Sequence, residues 1–182
     1  MITSHSYAIS GRGSLLCEGI QAHEVHIINY AQGSPFDPRI VPVTIKLARQ
    51  THFNISGKSV YDILAPEDVR NKCSLASALI CQAAMKHEGL FERAGIARGY
   101  DVPGLSNAPS RFEYHDIALL RAGEVEVAVD VTTAQFSAVR KGLDNKDRIY
   151  FNSTQVLMIV ARPDKIYKLL PIVYNGGRWA PI

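Results

Sequence analysis

The clearest periodic stretch in the chain is Ser74–His87, where Leu75, Leu79, Ile80, Ala83 and Ala84 recur at helical spacing. Lys86 and His87 in the last turn and Gly89 just beyond supply stop chemistry. Asn71 is a suitable N-cap, so the spacing puts Cys73 in the first turn of a buried helix. A short helix is expected at Ser59–Leu64, and Pro66 followed by Glu67 and Asp68 has the chemistry of another helix start. Residues 41–53 fit two periods: Val43, Ile45 and Leu47 alternate like a strand, while Lys46–Gln50 suits a helix. Residues 1–40 are weakly patterned, with one strand expected at Glu24–Tyr30. Gly95–Ala108, rich in Gly, Pro and Ser, reads as an ordered loop. From Tyr114 onward the pattern predicts strands at Tyr114–Arg121, Glu124–Thr132, Thr154–Ala161 and Lys165–Tyr174. A turn at Ala122-Gly123, another at Arg162-Pro163-Asp164 and a longer polar connection at Ala138–Lys146 separate them. Helices followed by a run of antiparallel strands predict an α+β fold.

Composition narrows the class. The 182 residues, 47% hydrophobic and 20% charged, suit one globular domain spanning 1–182 and not a disordered chain. A net charge of +3 without a basic stripe argues against a nucleic-acid partner. The longest continuously apolar run, Val156–Ala161, falls far short of the roughly 18 residues a membrane span needs. The N-terminal Met1-Ile2-Thr3-Ser4-His5 does not resemble a signal peptide. Three cysteines, at positions 17, 73 and 81, make no disulfide framework and are expected to be reduced. No metal is expected, because alternation puts His23 and His26 of His23-Glu24-Val25-His26 on opposite strand faces. No cofactor is expected either, since Gly11-Arg12-Gly13-Ser14 is too short for a phosphate loop.

Strand pairing supplies candidate chemistry. A two-residue Ala122-Gly123 loop pairs Arg121 with Glu124, and continuing that register places His115 directly opposite Asp130 on one face. The other face pairs Leu120 with Val125 and Ala118 with Val127, an apolar surface suited to a helical layer. A carboxylate beside an imidazole fixes the ring tautomer and stabilises imidazolium. Cys73 at a helix start, with Lys72 next to it, has its thiolate favoured by the macrodipole. Cys73, His115 and Asp130 thus form a chemically complete cysteine-nucleophile set. A lone cysteine is more often a small buried hydrophobe, and Cys17 and Cys81 take that reading. The segment from Tyr100 to Phe112, between nucleophile and base, either borders the cleft or is a surface connection.

These residues resemble the papain-like and transglutaminase-like superfamily of cysteine acyl-transfer enzymes. The similarity lies in Asn71-Lys72-Cys73-Ser74, Gly95-Ile96-Ala97-Arg98, His115-Asp116-Ile117-Ala118 and Asp130-Val131-Thr132-Thr133-Ala134-Gln135-Phe136, all within a catalytic core at 60–136. It implies a nucleophile helix packed on an antiparallel sheet. Cys73 would be the nucleophile, His115 the base and acid, Asp130 the orienting carboxylate, and Asn71 or Gln135 side-chain oxyanion donors beside the Cys73 N–H. The compact spacing is most similar to bacterial effector and toxin protein-glutamine deamidases. That implies a host or competitor protein as substrate, an immunity protein or chaperone as partner, and secretion without a signal peptide into a target-cell cytoplasm. The alternatives are a papain-like protease of the YopT-like effector type, a transglutaminase, or a non-catalytic binding module on the same scaffold; without secretion, a cytoplasmic location is expected. Ser74 after Cys73, and Ile117 and Ala118 after the His, stand where transglutaminases usually carry aromatics.

Overall fold

The computed structural model describes residues 25–29, 37–59, 66–102, 114–136, 156–174 and 176–182. Among them, helices α1 (Ile40–Ser56), α2 (Pro66–Val69), α3 (Cys73–Ala84) and α4 (Pro163–Val173) flank a sheet of strands β1 (Val25–Asn29), β2 (Arg93–Tyr100), β3 (Tyr114–Ala122), β4 (Val125–Asp130), β5 (Val156–Ala161) and β6 (Arg178–Pro181). The strand order is β1-β5-β4-β3-β2-β6. Strands β2 to β6 pair antiparallel, and β1 joins the β5 edge in parallel. The fold is α+β, as the pattern predicts. Helices do not simply precede strands, however: among the described residues β1 comes first and α4 falls between β5 and β6.

The two-period segment at 41–53 is helical. Its buried positions Ile40, Val41, Thr44, Ile45, Ala48, Thr51, His52 and Ile55 follow the three-to-four spacing. Pro42 falls in the first turn, where a missing N–H costs nothing. Gly57 ends α1 in the left-handed region (φ 71°), its N–H bonding the Phe53 carbonyl. Of the expected helix at Ser59–Leu64, residues 60–64 lie outside the described residues, while Pro66 does open α2.

Two element assignments are corrected. Lys165–Tyr174, read as a strand, is helix α4 with its continuation at Tyr174. Ile166, Leu169 and Leu170 bury one helical face, Pro163 sits at the first turn, and Asp164 complements the N-terminal dipole. Gly95 to Tyr100, read as loop, belongs to strand β2, paired with β3 on one side and, over its last residues, with β6 on the other. Sheet pairing on both sides outweighs the weak strand preference of its glycines. Gly99 is required there, because a Cβ would stand 2.7 Å from ring atoms of Trp179 and from the Val102 side chain.

The sheet is covered on both faces. Ala118, Leu120, Ala122, Val125, Val127 and Val129 pack with α1 and α3 in one cluster, whereas Ile117, Leu119, Ala128, Leu157 and Ile159 pack with α4 in another. β5 is buried at all six positions, which explains why Val156–Ala161 is the most continuous apolar run. The β3–β4 turn is Gly123-Glu124, so Ala122 pairs Val125, Leu120 pairs Val127 and Ala118 pairs Val129. Every partner is therefore displaced by two positions from the Arg121–Glu124 register. His115 is diagonal to Asp130 instead of directly opposite. A displacement by an even number preserves the face, because side chains alternate with period two, so both residues still point to the α4 side.

Candidate active site

Three elements bring the site together: the start of α3, the start of β3 and the end of β4. Cys73 is the first residue of α3, and its thiol lies close enough to the His115 ring for the imidazole to lower it. The ladder between β3 and β4 stops at Ala118–Val129. Beyond it, the backbone at His115-Asp116 comes close enough to Cys73 to lower its thiol. The helix start thereby meets His115 although α3 and α4 lie on opposite faces of the sheet.

Asp130 is almost wholly buried and its carboxylate is saturated. Its Oδ2 accepts from His115 Nε2 at 2.7 Å and from the Tyr174 hydroxyl at 2.6 Å. Its Oδ1 accepts from the Thr132 N–H and the Thr132 hydroxyl, both at 2.7 Å. An ionised carboxylate has about four lone-pair sites, and each is matched to a donor here. The network therefore assigns the ring hydrogen of the neutral imidazole to Nε2 and leaves Nδ1 as the nitrogen not held by Asp130. Gln135 Nε2 donates to Thr132 Oγ1 at 2.9 Å and lies 3.3 Å from Nδ1. Phe136, Tyr174 and Trp179 enclose the imidazole, with ring centroids 5.0, 5.3 and 6.2 Å away.

The electrostatics follow from this packing. Burial opposes charge on all three groups. At His115 it is outweighed by the charge and hydrogen bond of Asp130 and by Cys73, raising the ring to about 10. At Asp130, burial is outweighed by His115, Tyr174 and Thr132, and the carboxyl is lowered. At Cys73, burial is outweighed by the hydrogen bond and charge of His115 and by the Asp116 N–H, so the thiol is lowered below its usual value. Each shift favours a thiolate–imidazolium pair backed by a carboxylate. Cys73 keeps 6% of its surface exposed and His115 none, so an incoming group meets the sulfur first.

Other expected contributors sit elsewhere. Asn71 does not cap α3: its backbone is left-handed (φ 59°), its side chain is exposed, and Lys72 holds the cap position without a side-chain bond. Lys72 turns its ammonium onto the carbonyls of Ile55 and Asp68, at 2.6 and 2.7 Å, and not toward the sulfur. Cys81 donates its thiol hydrogen to the Gly95 carbonyl, and burial pushes it up to about 11, the profile of an inert core cysteine. Cys17 lies outside the described residues, as do 103–112 of the segment between nucleophile and base. Among the described residues no three His, Cys, Asp or Glu side chains cluster to hold a metal, and no helix is long and apolar enough to cross a membrane.

The residues that complete the site carried unequal signals. Thr132 had a local one, since an Asp side chain commonly accepts the N–H two residues on. Tyr174 had none, being 44 positions from Asp130. Arg98 and Asp116, directly opposed on β2 and β3, could not be paired while β2 was read as a loop. Compared with known protein families, with curated proteins and with solved structures, the chain gives no match.

Proposed function

We propose that this protein is a cysteine amidohydrolase of the bacterial effector or toxin type, built on a papain-like/transglutaminase-like core, that deamidates a protein glutamine to glutamate. The observation that carries the reading is the buried His115–Asp130 pair, its carboxylate fully satisfied, beside a Cys73 thiol that His115 lowers. The motif order in the sequence supports the substrate class.

Thiolate Cys73 attacks the carboxamide carbon, and the negative charge moves to oxygen. The Cys73 N–H, at the first helical position and without an intrahelical acceptor, donates to that oxyanion. It is better placed than the exposed Asn71 or than Gln135, which is held by Thr132. His115 Nδ1 then gives its proton to the departing nitrogen, the C–N bond breaks, and ammonia leaves a thioester. Water loses a proton to Nδ1 and attacks the thioester carbon. The C–S bond breaks to release glutamate, and the proton on Nδ1 restores the ion pair.

Incubation of the protein with a candidate substrate should convert one glutamine to glutamate by mass spectrometry, and Cys73→Ala should abolish the conversion. Full conversion by Cys73→Ala would refute the mechanism. Peptide fragments on a gel would replace deamidation by proteolysis, and incorporation of a labelled primary amine would replace it by transglutamination.

A further inference from the structure

The dipeptide Cys73-Ser74 faces the dipeptide His115-Asp116. His115 and the Asp116 backbone lower the Cys73 thiol, and Ser74 Oγ donates to Asp116 Oδ2 at 2.7 Å. The Asp116 carboxylate, 1% exposed, also receives Arg98 in a fork: Nε to Oδ1 at 2.7 Å and Nη2 to Oδ2 at 2.8 Å. Arg98 in turn lies over the Tyr114 ring, 3.8 Å from its centroid, which fixes the guanidinium from the other side.

We infer that Ser74, Asp116 and Arg98 are positioning residues that dock the start of α3 onto β3 and so set the contact between Cys73 and His115. Alternation along β3 makes this possible. His115 turns to the α4 face and Asp116 to the α3 face, so one strand segment presents the base to the sulfur and an anchor to the residue beside it. The anchor is a buried anion close to the sulfur, which by itself opposes a thiolate. Arg98 offsets that charge through a bidentate pair, a geometry that specifies direction as well as neutralising. The charged groups facing the sulfur are His115 and Asp116 on β3, with Asp130 on β4 acting through His115 and Arg98 on β2 acting through Asp116. Lys72, on its own element, is turned onto carbonyls.

This inference rests on Cys73 being the activated nucleophile proposed above, and the test separates the two. The rate of iodoacetamide alkylation of Cys73, located by peptide mapping, is followed against pH in the full chain. The variants are Ser74→Ala, Ser74→Thr, Arg98→Gln, Arg98→Lys and the double Arg98→Gln/Asp116→Asn, with thermal unfolding recorded in parallel. Wild type should show a thiolate midpoint below that of an ordinary thiol. Ser74→Ala and Arg98→Gln should raise it by about one pH unit, about tenfold slower labelling on the acid side. Ser74→Thr and Arg98→Lys should keep most of the wild-type rate. The double variant, which removes the opposing charge together with its partner, should return toward wild type. If Arg98→Gln does not fold, the Ser74→Ala and Ser74→Thr pair decides. Wild-type midpoints in Ser74→Ala and Arg98→Gln, whatever their unfolding temperatures, would overturn the positioning role and leave the nucleophile standing. An ordinary thiol midpoint in wild type itself would overturn both.

Discussion

At the residue scale, the proton inventory around Asp130 decides the behaviour of the whole triad. With four donors on one carboxylate, His115 has Nε2 committed, and Nδ1 is the nitrogen not held by Asp130. Asp130→Asn replaces an acceptor pair by one acceptor and one donor, so at least one of those four hydrogens meets another hydrogen. The ring loses its anion and its fixed tautomer. Turnover should fall about 10²–10⁴-fold, and the Cys73 thiolate midpoint in an alkylation profile should rise toward about 8.5. A wild-type profile in Asp130→Asn would contradict the network. Activity should also have two limits. It rises with pH as Cys73 ionises, at a value lowered from 9.0, and it falls as His115 loses its proton near about 10. A pH–rate profile with its alkaline limb near neutrality would contradict the raised imidazole. The choice of Cys73, His115 and Asp130 was legible from residue chemistry alone, and the Asp130–Thr132 turn is a local pattern. The contacts of Tyr174, Arg98 and Ser74 were not legible, because each depends on a neighbour that comes near only in the folded chain.

At the element scale, helix α3 and strands β3 to β5 declare themselves in the pattern, since each has a strong single period or a fully apolar run. β2 and α4 do not. β2 contains Gly95 and Gly99 and has little side-chain signal, and its strand state comes from neighbours on both sides. α4 opens on Pro163 and carries Pro171 and β-branched residues, so its three-to-four spacing is easily mistaken for a strand. Both elements serve the site. The last residues of β2 support Trp179 of β6, whose ring packs 4.8 Å from Tyr174, the residue that follows α4. Gly99→Ala would drive a Cβ into Trp179 and Val102. Such overpacking should cost about 1–3 kcal/mol in denaturant unfolding, with a shift of tryptophan fluorescence that Trp179, the single tryptophan, reports directly. An unchanged emission maximum and unchanged stability would show that the ring is not seated against β2.

At the scale of the whole molecule, His115 and Asp130 place two opposite charges in a core covered by helices on both faces, and stability should depend on pH accordingly. The His115 ring is raised from 6.5 to about 10, so its contribution is complete below about 6.5 and is lost as pH rises through about 10. Asp130 is lowered from 3.8, so its contribution is present above that value and is lost as pH falls through the depressed folded value. Denaturant unfolding across pH should give a loss of stability between about pH 6.5 and about 10 that is absent in His115→Gln. A parallel decline in that variant would place the dependence elsewhere. What the sequence alone determined was the candidate set Cys73, His115 and Asp130, the α+β class and the shared face of His115 and Asp130, because residue chemistry and side-chain period are local properties that survive a register displacement by an even number. Only the tertiary structure decided the register itself, the helical state of Pro163–Val173 and the strand state of Arg93–Tyr100. The same is true of the joining of Ser74 to Asp116 and of Tyr174 to Asp130. Those depend on which surfaces meet when the sheet is covered on both sides, and contacts between distant segments leave no periodic trace along the chain.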